Sequence, residues 1–129
     1  NLRGEMLAEK DPEKQTELRQ RSVLAEYWLG SVHAVAQTGE LVTASASGSQ
    51  LPAYAFTSKH VDLVVGTQKI VPDLASALRR IREHSLVLED ARMKSVGFPG
   101  SSIGKILIVE REAFPNRVVV MFVGEKLGF

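Results

Sequence analysis

The chain has 129 residues, 44% of them hydrophobic and 24% charged, which suits a single domain with one continuous core. Sixteen Lys and Arg against fifteen Asp and Glu leave a formal charge of +1, too little to gather a polyanion, so nucleic acid is not an expected partner. With no cysteine in the chain, disulfides, thiol nucleophiles and thiolate-held zinc or iron–sulfur clusters are excluded.

No apolar run approaches the ~20 residues needed to cross a bilayer, and no secretory signal is legible, so neither a membrane partner nor export is expected and the location is read as cytoplasmic. The chain opens at Asn1 and runs into a charged stretch from Glu9 to Glu17. It reads as an N-terminally truncated domain spanning residues 1–129.

Asp11-Pro12-Glu13 is a helix start: the carboxylate accepts orphan N–H bonds, proline suits the first helical position and acid suits the dipole. The spacing of Leu18, Val23, Leu24, Tyr27 and Trp28 predicts a helix from Pro12 to Leu29, stopped by Gly30. Ser31–Gln37 and Leu41–Ala44 flank Thr38-Gly39-Glu40 as two strands of a hairpin. A small-residue loop, Ser45–Gln50, leads to Ala53–Phe56, which fits either a short helix or an extended segment. Val61–Gly66 reads as a central strand buried on both faces. Pro72 and Asp73 open a helix carrying Leu74, Ala77, Leu78, Ile81 and Leu88 inward and Arg79, Arg80, Arg82 and Glu83 outward. Gly97, Pro99 and Gly100 break the chain before strands at Ile106–Val109 and Val118–Val123. The order predicts an α/β fold with a mixed, partly parallel sheet.

Gly100–Lys105 superficially matches a phosphate-binding loop, but Pro99 stands where its first glycine belongs, Ile106 replaces the Ser or Thr, and a strand follows instead of a helix. His33, His60 and His84 lie in different elements without paired spacing, so no metal site is predicted. His33 reads as a structural strand residue and the other two as surface groups. Three polar glycine turns are candidates to converge at one sheet edge: Thr38-Gly39-Glu40, the Ser45–Gln50 loop with Gly48, and Gly66-Thr67-Gln68-Lys69. The same turns serve equally well as plain connectors.

Ala36-Gln-Thr-Gly-Glu-Leu-Val42, Gly48-Ser-Gln50 and His60-Val-Asp-Leu-Val-Val-Gly-Thr-Gln-Lys-Ile-Val-Pro-Asp-Leu74, with the closing Asn116–Gly128 segment, resemble the lactate-utilisation (LUD) domain family. The resemblance spans roughly Leu24 to Phe129. It implies a three-layer fold similar to the sugar-phosphate isomerase and CoA-transferase group, a role beside iron–sulfur proteins in oxidising L-lactate, and additional N-terminal sequence. One branch of the family carries a cysteine cluster at the stretch corresponding to Phe98–Ile103; here Ser101 and Ser102 cannot hold one, so iron–sulfur binding does not carry over and no cofactor is expected. The family's frequent asparagines in the glycine loop and before Lys-Ile-Val are replaced around Ser49-Gln50 and at Gln68.

The expected function is therefore binding of a small carboxylate- or phosphate-bearing metabolite in support of lactate or related organic-acid oxidation, with electrons handled by other subunits. Candidate ligand contacts are Thr38, Gly39, Gly48, Ser49, Gln50, Gly66, Gln68 and Lys69, with Glu40 the candidate catalytic or orienting acid. The alternative is a non-catalytic assembly subunit that docks iron–sulfur redox proteins through Tyr27, Trp28 and Phe129. An open sheet edge favours a homo-oligomer in either case.

Overall fold

A computed structural model describes residues 2–129, with the side chains from Gly4 onward. Helices α1 (Leu2–Ala8) and α2 (Pro12–Ser22) come first, then strands β1 (Tyr27–Gly30), β2 (Ala34–Ala36) and β3 (Leu41–Ser45). A wide π-type turn at Ala53–Thr57 leads into β4 (His60–Gly66), and a single 3₁₀ turn, Thr67–Lys69, into β5 (Ile70–Val71). One long helical run follows as α3 (Leu74–Arg80), a π-type segment (Ile81–Ser85) and α4 (Leu86–Ser95), before β6 (Lys105–Val109) and β7 (Val118–Val123).

The strands form two sheets. One is wholly parallel, in the order β1-β4-β7, and the other mixed, in the order β5-β2-β3-β6. Period-two alternation makes the mixed sheet the middle layer. Val35, Leu41 and Leu107 on one of its faces pack with Val61, Leu63, Val65, Val118 and Val120 of the parallel sheet. Ala34, Val42, Ala44 and Ile106 on the other face meet Ala77, Ile81, Leu74 and Leu78 of the helical run. The α/β and three-layer expectations hold in the form sheet, sheet, helix. The mixed, partly parallel sheet holds as β5-β2-β3-β6, in which β2 pairs β5 in parallel and β3 antiparallel; the second, wholly parallel sheet lies outside that expectation and forms because β4 takes β1 and β7 as its partners.

Three local readings need correction. The first helix ends at Ser22 and not at Leu29. Aromatic residues favour extended backbone, and Tyr27 and Trp28 join β1, where Tyr27 stacks on His60 with ring centroids 4.5 Å apart and Trp28 meets Tyr54 edge-on at 6.4 Å. Gly30 is no helix stop; it lies against the Tyr54 hydroxyl, leaving no room for a Cβ, and that hydroxyl donates to the Ser31 carbonyl at 2.9 Å.

Strand β4 is central as expected, but only Val61, Leu63 and Val65 are buried, while Asp62 and Val64 on its other face stay half-buried. No layer of the described chain covers that side. Arg80, expected to face outward, turns in: its guanidinium donates to the His33 carbonyl and to Ser85.

The capping reading holds at both predicted helix starts. Asp11 accepts from Glu13 N at 2.9 Å, and Asp73 from Ser76 N at 2.7 Å, each satisfying a donor that the first turn leaves orphaned. At the opposite side of the molecule the buried Arg117 guanidinium donates to the carbonyls of Tyr54 and Ser58 and pairs with Glu112 at 2.8 Å, fastening the Ala53–Thr57 turn to the start of β7.

Candidate functional site

A cavity of about 360 Å³ opens between the helical run and one end of the mixed sheet. Its walls come from three segments: the β3 end and the following loop (Ala44 to Ser47, and Gln50), the π-type turn and α4 (Ile81, Ser85, Leu86, Glu89), and Ser101–Ile103, with His33 and Phe129 completing the lining. The volume falls within the range usual for small-molecule sites. π-type widenings within helices recur at functional sites, and this one carries Ser85 into the cavity wall.

His33 precedes β2, and one hydrogen bond orients its ring. Its Nδ1 accepts from Ala44 N at 3.2 Å, so the neutral ring carries its proton on Nε2, and among the described residues no protein acceptor takes that proton. Burial, followed by the charges of Lys69 and Arg80, lowers the His33 pKa, with Glu89 opposing. A protonated Nδ1 would also confront the Ala44 N–H. His33 is thus a neutral Nε2–H donor at neutral pH.

Ser85 is buried in the same wall. Arg80 Nη1 donates to its oxygen at 2.9 Å, which takes one lone pair and leaves the O–H, without a protein acceptor among the described residues, to offer a ligand. Glu89 supplies the contrasting chemistry: Arg92 grips both carboxylate oxygens at 2.7 and 2.6 Å, and those hydrogen bonds hold the Glu89 carboxyl below the usual range. Each oxygen retains a lone pair. The cavity therefore presents two donors, each held from its acceptor side by one hydrogen bond, and one carboxylate acceptor.

The Ser45–Gln50 loop is built by its own side chains. Ser45 Oγ donates to Gln50 Oε1 at 2.9 Å and accepts from Gly48 N at 2.9 Å. Gly48 adopts φ 84°, a left-handed conformation that suits glycine, and lies under the Lys105 side chain.

The three glycine turns do not converge. In the register, Ala34 faces Val42 and Val35 faces Leu41 across an antiparallel pair, while Val35 lies beside Ile70 in a parallel one. The end of β3 and the start of β5 therefore flank the His33 end of the sheet, and the hairpin turn lies at the opposite end. Gln50 lines the cavity, and Gly48 and Ser49 belong to the loop that walls it. Thr38, Gly39 and Glu40 are remote from it, with the Thr38 hydroxyl donating to the Glu40 carboxylate.

Gly66 and Gln68 serve the chain end instead: Gln68 Nε2 donates to the Leu127 carbonyl at 2.9 Å. Lys69 is buried, with Nζ donating to Ser31 Oγ at 3.2 Å, and no carboxylate pairs with it among the described residues. Its pKa is lowered by burial and then by Arg80. Lys69 does not line the cavity, and its charge acts on it through His33.

The residues that sequence reasoning missed are Ser85, Glu89, Ser101, Ser102 and the ligand-facing role of His33. Only the glycine break near Ser101 marks any of them in the sequence. Of the three residues proposed as docking contacts, Tyr27 is exposed, Trp28 packs against the core and Phe129 lines the cavity. Among the described residues no helix is long and apolar enough to cross a membrane, and no group of three or more His, Asp or Glu is arranged to hold a metal ion.

A three-layer α/β fold with a polar cavity against its middle sheet is the frame in which the family match is read: residues 3–123 match the LUD domain, and the chain belongs to the LUD domain family. No curated protein and no solved structure matches it. Family membership points to lactate utilisation in general.

Proposed function

We propose that the chain binds a small metabolite bearing a carboxylate or phosphate in the His33–Ser85 cavity, and thereby serves the oxidation of L-lactate or a related organic acid whose electrons pass to other subunits. The observation that carries this reading is the pairing of two donors, His33 Nε2–H and Ser85 O–H, each oriented by a hydrogen bond to its acceptor atom, from Ala44 N–H and Arg80 respectively. Such donors cost no reorganisation when an oxyanion arrives. The charges of Lys69 and Arg80, without carboxylate partners among the described residues, act on His33 and outweigh the opposing Glu89. The chemistry supports binding and orientation of an acid.

Thermal unfolding against lactate, pyruvate, sugar phosphates and sugar acids tests it. A ligand at one hundred times its dissociation constant adds about 2.7 kcal/mol of stability, a shift of several degrees. A shift with one of these acids that disappears in Ser85→Ala supports the reading; no shift with any of them contradicts it.

A second reading, an assembly subunit docking redox proteins, is favoured by one observation. The outer face of the parallel sheet exposes Tyr27, Leu29, Val119 and Met121, whereas parallel sheets are ordinarily covered on both faces. Co-purification with redox subunits that is lost in Leu29→Glu but kept in Ser85→Ala would establish it.

A further inference from the structure

The size and lining of the cavity narrow the ligand class further than its charge does. A volume of about 360 Å³ lies within the range of sites that take ligands larger than a three-carbon acid.

The remaining lining is rich in groups that bind hydroxyls. Gln50 Oε1 is taken by Ser45, which leaves the Gln50 amide N–H₂ free to donate. Ser47 Oγ accepts from Ser49 N at 3.3 Å and keeps its own O–H. The hydroxyls of Ser101 and Ser102 have no protein partner among the described residues, while the Ser101 backbone is pinned by Asp90 at 2.9 Å. Glu89 adds acceptor lone pairs. Hydroxyls both donate and accept, so a wall mixing amide donors, serine hydroxyls and a carboxylate matches a chain of ligand hydroxyls better than an apolar methyl.

Resting on the acid-binding reading, we infer that the ligand is a polyhydroxylated acid of the sugar-acid class, its carboxylate at His33 and Ser85 and its hydroxyls read by Gln50 and Glu89. Each hydroxyl contact contributes about a twofold to tenfold gain in affinity, so several together separate such a ligand clearly from a three-carbon acid.

Isothermal titration of the full chain with D-gluconate and with L-lactate tests the inference, with Glu89→Gln and Gln50→Ala as variants on two different walls. The expected result is gluconate binding more than about tenfold tighter than L-lactate, with that preference falling about twofold to tenfold in each variant. L-lactate binding as tightly as gluconate would overturn the inference and leave the acid-binding reading standing. A gluconate preference indifferent to both substitutions would also overturn it. Binding of neither acid would overturn the inference, and the acid-binding reading falls with it only if pyruvate and the sugar phosphates also fail to bind.

Discussion

Arg80 donates to Ser85 Oγ at 2.9 Å and, through the same Nη1, to the His33 carbonyl at 3.0 Å. One guanidinium thus joins the helical layer to the entry of β2 and fixes the direction in which the Ser85 hydroxyl points. Arg80→Met removes both bonds. Hydrogen bonds from a charged donor contribute about 1.5–3 kcal/mol, so urea unfolding is expected to show a loss of that order. Acid binding should weaken as well, because Ser85 is then free to turn its acceptor side to the ligand.

The half-buried His33 sets a pH dependence. Its folded pKa lies below the unfolded value of 6.5, so the unfolded chain binds the proton more readily. The stability tied to the neutral ring is full above the unfolded value and is lost as pH falls through it towards the folded one. Wild-type stability should therefore decline on acidification below about pH 6.5 more steeply than that of His33→Leu. Denaturant midpoints of the two proteins across pH 5 to 8 (roughly the range in which histidine titrates) check this; parallel curves would rule out the half-buried neutral histidine.

Arg117 ties the Ala53–Thr57 turn to the parallel sheet. The carbonyls of Tyr54 and Ser58 and the Glu112 carboxylate all take hydrogen bonds from it. Arg117→Leu takes this donor from the two carbonyls and the cationic partner from Glu112, which keeps the Phe114 N–H. A cost of about 3–5 kcal/mol is expected, measured by chemical unfolding, against less than about 0.5 kcal/mol for exposed Lys59→Ala, whose ion pair with Glu26 is solvated on both sides.

Gly48→Ala tests the loop. Its φ of 84° places the residue in the left-handed region, which costs an L-residue about 1–2 kcal/mol, and the added Cβ displaces Lys105. Stability should fall by about that amount and ligand affinity with it, since Gln50 and Ser45 move together. Unchanged affinity would separate the loop from the site.

Glu40→Gln should leave both stability and ligand affinity within error, because the hairpin turn lies at the far end of β3 from His33. That expectation reverses what the glycine pattern alone implied. The sequence displays which turns are polar, and the register decides which end of a sheet each one reaches.

Legibility elsewhere follows the same division. The hairpin, the long helical run and the Asp11 and Asp73 caps are local, and the spacing of residues near each other in the chain encodes them. The Tyr27–Gly30 strand is not local: helical spacing of its apolar residues is overridden by parallel pairing with β4, more than thirty residues downstream. Ser85 and Glu89 look like ordinary helix residues until the helix is laid against the Ser45 loop. The ligand-facing role of His33 depends on Ala44 N, Lys69 and Arg80, groups that only the fold brings together.

The most direct test of the account is amide chemical-shift mapping of the isotopically labelled full chain titrated with D-gluconate and L-lactate. The account predicts saturable shifts confined to His33, Ser45–Gln50, Ser85–Glu89 and Ser101–Ile103, with none at Thr38–Glu40. Shifts centred on the hairpin turn, or no saturable shift with either acid, would contradict it.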